Sequence, residues 1–160
     1  MHRFTQLLLV LAVALWGLLG GLGNLASYQA GMESVETVLS METLPEGSVS
    51  ADRKPPPRAL VTLGFAFIWA LKLIGGTLCL VGAVQMWISR KADASAFQEA
   101  KRWAIAGCGV LIFMLFFGFS FVAVGPYKLF LSPLISAVEL AALFAVQIGI
   151  VMLFLNQRER

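Results

Sequence analysis

Four long apolar blocks constrain the fold of this chain more than any other feature of its sequence. They cover residues 4–26, 60–88, 103–124 and 134–155. A helix needs about 20 apolar residues to cross the hydrocarbon core of a bilayer, and every block reaches that length. The sequence therefore predicts an all-α membrane protein whose four transmembrane helices form a four-helix bundle.

Composition agrees with this prediction. Of the 160 residues, 59% are hydrophobic and 13% are charged, whereas soluble domains carry about 25% charged residues. We expect one integral membrane domain over residues 1–160, surrounded by the lipid bilayer. The formal charge is +3, but the basic residues are scattered singly and in pairs, so no nucleic-acid partner is predicted.

The first block has an alternative interpretation as a cleaved signal peptide. Arg3 provides a positive start, and the small residues Ala26 and Ala30 would permit cleavage. The apolar run is long for a signal peptide, and further spanning blocks follow it. We therefore expect the first helix to be retained.

Residues 27–58 are polar and form the largest predicted extramembrane segment, on the periplasmic side. Apolar residues recur at helical spacing over residues 29–42, which predicts a short amphipathic helix that Pro45 ends. Its acidic face, with Glu33 and Glu36, is either a partner surface or an ordinary solvated surface. The proline-rich remainder is typical of a stiff linker.

Basic residues near the helix ends predict the orientation, because Lys and Arg are retained on the cytoplasmic side. One side of the predicted topology holds Arg3, Arg90, Lys91, Lys101, Arg102, Arg158 and Arg160. The other side holds Arg53, Lys54, Arg58 and Lys128. Both termini are therefore predicted to be cytoplasmic.

Two charged residues fall inside apolar blocks, where an unpaired charge is costly. Lys72 lies near the middle of the second block, and Glu139 shares one face of the fourth helix with Ser136 and Gln147. We expect this face to avoid lipid and Lys72 to point into the bundle. Lys72 and Glu139 then form either a polar pair that fixes helix packing or part of a proton or substrate pathway.

Small residues indicate close contacts between helices. Gly17 and Gly21 have GxxxG spacing in the first helix, which suits internal packing or a partner helix. Gly76, Cys79 and Ala83 follow Lys72 on the same face of the second helix. The expected role of Cys79, and of Cys108 in the third block, is packing.

The sequence contains no pattern typical of an active site. It has no phosphate-binding loop, no metal-ligand cluster and no Ser/His/Asp set, and its one histidine, His2, lies beside the terminus. We therefore expect neither enzyme activity nor a metal or cofactor.

One extramembrane stretch resembles a known family. Residues 24–47 read NLASYQAGMESVETVLSMETLPEG, with VLSMET at Val38 to Thr43. This stretch, the order of the helices and the ending LFLNQ resemble the bacterial small integral membrane proteins grouped as domain of unknown function 2165. The resemblance covers nearly the whole chain and implies a multi-pass protein of the bacterial inner membrane, without supplying an activity.

The chain departs from that family pattern in two places. Family members tend to carry a glutamate in the second helix where this chain has Lys72 or a neighbour. A tryptophan- and glutamate-rich stretch after the third helix is replaced here by GPYKLFLSP. If those family residues are functional, this chain has lost or altered that function.

Three functional hypotheses follow from these observations. The leading one is an accessory or scaffold subunit that packs against a larger membrane complex, such as a respiratory or photosynthetic one or a transporter. The alternative is a small channel or transporter, a homo-oligomer that uses the region of Lys72 and Glu139. A third hypothesis is a sensor that binds a periplasmic ligand through residues 27–58.

Overall fold

The computed structural model describes residues 2–48 and 55–157, and within these ranges it contains helices and no strand. The α-helices are α1 (His2–Ala26), α2 (Tyr28–Ser40), α3 (Arg58–Ile88), α4 (Ala94–Ala100), α5 (Arg102–Leu115) and α6 (Ile135–Asn156). A π-helix, Phe116–Ala123, continues α5, and short 3₁₀ turns cover Ser89–Lys91 and Leu129–Leu131.

The predicted four spans are confirmed. Four helical segments of the described chain are long and apolar enough to cross a membrane: His2–Ala26, Arg58–Lys91, Ala94–Ala123 and Ile135–Asn156. The 31 residues of α3 correspond to about 46 Å, which exceeds the hydrocarbon thickness of about 30 Å. One end of α3 therefore projects beyond the core or the helix is tilted.

The bundle has two distinct ends. The termini end is where α1 begins and α6 ends, and the loop end holds residues 41–48 and 124–134. Arg3 donates from Nη1 to the carbonyl oxygens of Arg90 and Ala92, at 3.2 and 2.6 Å. These bonds bring the start of α1 to the connection after α3, as the predicted topology requires. Arg53, Lys54, Arg158 and Arg160 lie outside the described residues.

Helix α3 is central and packs against both α1 and α5. Glycines allow both contacts. A Cβ at Gly76 would lie 2.7 Å from the backbone nitrogen of Leu18, and one at Gly82 would lie 2.4 Å from that of Ala104. Real Cβ atoms do not approach backbone atoms so closely. These two helix contacts are therefore possible only because glycine has no side chain.

Helix α2 almost continues α1 and packs along the first half of α3. The two helices meet at Ser27, and the space beside Gly31 is filled by the ring of Phe65. Helix α2 ends at Ser40, where Met41 takes the left-handed conformation with φ 56°. The prediction that Pro45 ends this helix was wrong, because the chain turns before it reaches that residue.

The connection between α3 and α5 contains a helix that the sequence analysis treated as a polar link. In α4, Phe97 and Ala100 are buried, whereas the charged side chains of Asp93, Glu99 and Arg102 are exposed. Asp93 precedes this helix, and Ser95 Oγ donates to its carboxylate at 2.5 Å. This hydrogen bond holds the pKa of Asp93 below its usual range.

Candidate functional site: a cavity at the loop end and the outer face of α6

A cavity of about 820 Å³ lies at the loop end, between α2, α3, the π-helix and the start of α6. Its volume falls within the range of small-molecule sites, about 300–1,000 Å³. Most of its lining is apolar, and Lys72 is the one basic residue among its described lining residues.

Lys72 is half-buried and contacts an aromatic ring. Its Nζ atom lies 5.3 Å from the ring centroid of Trp16, a cation–π distance that favours the charged ammonium. A Cβ at Gly20 would lie 3.4 Å from the same Nζ, so the glycine leaves room for the lysine side chain. Helix α1 thus provides both the space and the ring for this ammonium.

The depth of Lys72 follows from the packing of α1. Gly20 lies beside Lys72, six residues and therefore about 9 Å before the end of α1 at Ala26. Helix α1 has 25 residues, close to the length that spans the core. The Lys72 ammonium therefore lies in the third of the bundle nearest the loop end, while the Lys72 backbone lies deeper, beside Gly17, so the side chain extends toward the interface.

Aromatic side chains form the wall of the cavity opposite α2. Phe67 of α3 packs against Phe117 of the π-helix, with ring centroids 5.6 Å apart. Phe117 stacks between Phe113 and Phe121 in an exposed row. Widened helical turns of the π type are frequent at functional sites, and here the widened turn lines the cavity.

The turn after α2 is joined to the segment before α6 at the loop end. Thr43 Oγ1 and Ser132 Oγ lie 2.7 Å apart and join this turn to the segment before α6. Leu44 and Leu129 are buried beneath it. Val38 and Leu39 of the segment VLSMET, which carries the family resemblance, line one edge of the cavity.

The structure does not bring Lys72 and Glu139 together. Within the described residues no carboxylate pairs with Lys72, and Glu139 is exposed on α6. The structure leaves Ser136, Glu139 and Gln147 exposed on the isolated chain and does not pack them inside the bundle. Helix α6 packs against α5, and its buried residues include Ala141, Ile148 and Val151.

The outer face of α6, meaning residues 136, 139, 143 and 147, is the second notable feature. These positions share one side of the helix, and all four side chains are exposed. In the part of the chain that the structure describes, neither Glu139 nor Gln147 has a hydrogen-bond partner. An apolar span thus presents a carboxylate and an amide outward.

The small residues singled out in the sequence lie at helix contacts. Gly17 faces Gly76, where a Cβ would come within 2.9 Å of the opposite Cα, and Gly21 faces Leu73. Cys79 and Ala83 are buried farther along α3. The GxxxG pair therefore serves internal packing of α1 on α3 in this chain.

Cys79 and Cys108 face each other between α3 and α5. Their sulfur atoms are 4.0 Å apart, and both residues are free and buried. Among the described residues no group of three His, Cys, Asp or Glu side chains is arranged to hold a metal ion.

Comparison of the sequence with models of known protein families gives a match. A model described as "Predicted small integral membrane protein (DUF2165)" matches residues 2–158. The chain belongs to this family. Neither the curated proteins nor the solved structures give a match to this DUF2165 protein.

Two buried polar side chains at the termini end of this DUF2165 protein were missed in the sequence. Gln6 donates from Nε2 to the carbonyl oxygen of Phe154 at 2.9 Å. The ammonium of Lys101 donates to Gln98 Oε1 at 3.1 Å and to the carbonyl oxygen of Gln157 at 3.3 Å. Both side chains connect the end of α6 to the rest of the bundle. Lys101 follows Phe97 by four residues. On a helix this spacing places both side chains on the same face, so the sequence could have indicated that Lys101 is buried with Phe97.

Proposed function

We propose that this DUF2165 protein is a non-enzymatic accessory or scaffold subunit that packs against a larger membrane complex, such as a respiratory or photosynthetic one. The observation that carries the proposal is Gln147, whose amide is exposed on the outer face of α6 without a described partner. Gln147 is twelve residues, about 18 Å, from the start of this 22-residue helix. That position is near the centre of the span.

An amide facing hydrocarbon at this depth is unfavourable. Leaving a polar group without a hydrogen bond in an apolar medium costs about 1–3 kcal/mol by protein mutational data. Hydrogen bonds between helices in membranes remove this penalty. Glu139 adds a carboxylate to the same face, which calls for a donor or a cation on the neighbouring helix.

The partner suited to this face is therefore a transmembrane helix with a hydroxyl, amide or basic side chain opposite Glu139 and Gln147. Leu143 lies between these two polar positions and is 52% exposed, so the face also offers apolar contact. A partner of this kind would satisfy the polar groups and cover the leucine.

A conducting pathway is supported less well by the geometry. Toward the termini end from Lys72, the interior is filled by buried apolar side chains that include Met86, Leu111 and Met114. A pathway would need several polar groups along its length. Among the described residues, the buried core between α3 and α5 contains no row of polar side chains. The accessory role is accordingly preferred.

We also propose that the protein resides in the bacterial inner membrane with both termini in the cytoplasm. Among the described residues, Arg3, Arg90, Lys91 and Arg102 lie at the termini end, whereas Arg58 and Lys128 belong to the loop end. The positive-inside rule supports this orientation. In that arrangement α2 and the cavity face the periplasmic side.

Photo-crosslinking in native membranes tests the proposed interface. A photoreactive amino acid at position 143 is expected to form a defined adduct with one other membrane protein. The control is the same amino acid at position 19, since Leu19 is 65% exposed on α1, outside the proposed α6 face, and should react with lipid. The adduct at 143 should fall at least several-fold when Gln147→Leu is added. Lipid adducts alone at both positions would contradict the proposal.

A further inference from the structure

The cavity at the loop end combines an apolar wall with one half-buried cation among its described lining residues. Phe67, Phe117 and Val122 contribute to the wall, and Lys72 contributes the ammonium. We propose that this cavity binds an amphiphile with an acidic headgroup, an anionic lipid or fatty acid, whose head pairs with Lys72 and whose acyl chain lies against the phenylalanines.

The charge of Lys72 is available for such a ligand. Its described contact is the ring of Trp16, and within residues 2–48 and 55–157 it pairs with no carboxylate. A cation in this part of a membrane protein is normally paired or faces water. A phosphate or carboxylate in the cavity would provide the missing negative charge.

Two hydroxyl groups that line the cavity are already engaged within α2, which leaves the Asn24 amide as the remaining uncharged polar side chain among the described lining residues. Ser34 Oγ donates to the carbonyl oxygen of Ala30 at 2.7 Å, and Thr37 Oγ1 donates to that of Glu33 at 2.9 Å. These hydroxyl protons are thus used within α2. What the cavity offers is mostly apolar surface, and that suits an acyl chain.

Glu33 also borders the cavity and bears the opposite charge. Its side chain is exposed, so solvent and salt screen it. Lys72 lies deeper and is half-buried, where electrostatic attraction is stronger because the effective dielectric constant is lower. The ammonium therefore dominates the field inside the cavity.

The position of the cavity matches the place where a lipid head resides. The Lys72 ammonium lies about 9 Å from the loop-end terminus of α1, and a lysine side chain in this zone extends toward the headgroups. The exposed row of Phe113, Phe117 and Phe121 continues the cavity wall onto the outer surface. A bound chain could thus pass from Lys72 along this row into the bilayer.

Quenching of Trp16 fluorescence by brominated lipids tests the proposal directly. Trp69, Trp87 and Trp103 are replaced by phenylalanine, so that the one remaining indole is the ring beside Lys72. The full chain is reconstituted in bilayers of brominated phosphatidylcholine, with or without brominated phosphatidic acid. Brominated palmitic acid is tested in a third series.

We expect the acidic lipid to bind about five-fold more tightly than phosphatidylcholine, the effect of one lysine charge near the membrane surface. Lys72→Gln should reduce this preference to about one, and Lys72→Arg should keep it. Lys91→Gln removes the same charge from an exposed position at the termini end and should leave the preference unchanged. Stronger binding of the phospholipid or of the fatty acid supports the proposal and identifies the source of the headgroup.

Equal quenching by acidic and zwitterionic lipids in the parent protein would overturn the proposal, as would an unchanged preference in Lys72→Gln. A second variant keeps Lys72 and fills the cavity. Ala137 lines it from α6 and is exposed, so Ala137→Phe should abolish the preference even if Lys72→Gln fails to fold. Full retention of the preference in Ala137→Phe would contradict the site.

Discussion

At the scale of single residues, the buried polar groups at the termini end show how a few side chains secure α6. Lys101 has no exposed surface. Its ammonium donates to the side chain of Gln98 and to the backbone carbonyl oxygen of Gln157, the residue that follows α6. A cation at the carboxyl end of a helix also interacts favourably with the helix dipole. Lys101 therefore stabilises the joint between α6 and the α4–α5 corner.

Replacement of Lys101 tests this role. Lys101→Ala should lower the free energy of unfolding by about 1.5–3 kcal/mol, the value typical of hydrogen bonds to a charged group. The measurement is the apparent Tm in detergent by circular dichroism. Lys91→Ala is the matched control, since this lysine is exposed in the same connection. Equal Tm values for the two variants would contradict the assigned role.

The residue scale is also where the sequence was least informative. The burial of Lys101 depends on where the end of α6 lies, and that position is set by helix packing distant in sequence. Glu139 and Lys72 were expected to meet because each is isolated in an apolar block. The side of α6 that packs on α5 could not be derived, because the apolar residues surround this helix almost evenly.

At the scale of helices, the contact between α1 and α3 is governed by two facing glycines. A Cβ at Gly76 would lie 2.7 Å from the backbone nitrogen of Leu18, whereas a Cβ at Gly109 on α5 would meet nothing within 4 Å. Gly76 and Gly109 should therefore respond in opposite ways to substitution by alanine.

Gly76→Ala should destabilise the protein by about 1–3 kcal/mol, the usual cost of overpacking. Gly109→Ala should be neutral or stabilise the helix by up to about 1 kcal/mol, because alanine has the higher helix propensity. Apparent Tm values in the same detergent give the comparison. A Gly76→Ala protein as stable as Gly109→Ala would show that the helices are not in close contact there.

Helix positions were predictable to the extent that they depend on local pattern. The four spans follow from the lengths of the apolar blocks, since lipid imposes about 20 residues on each. Helix α4 was missed because it is short and charged residues flank it on both sides, although Phe97 and Ala100 have a helical spacing. The π-helix depends on hydrogen bonds such as Val124 N to Phe119 O, and no residue type specifies that register.

At the scale of the whole molecule, the two ends of the bundle differ in chemistry. The termini end is closed by Gln6, Lys101 and a buried apolar core. The loop end contains the cavity, Lys72 and the turn after α2. Between them, α6 presents a polar face outward, so the isolated chain leaves groups unsatisfied that an assembly could satisfy.

The unsatisfied outer face of α6 implies that this protein works as part of an assembly. Extraction from native membranes in a mild detergent, followed by measurement of the particle's mass and composition for the parent chain and for Gln147→Leu, distinguishes an assembly from an isolated chain. We expect a stoichiometric complex of the parent chain with a second membrane protein, and its loss in Gln147→Leu. A monomer or small homo-oligomer of the parent chain, unchanged by the substitution, would contradict it.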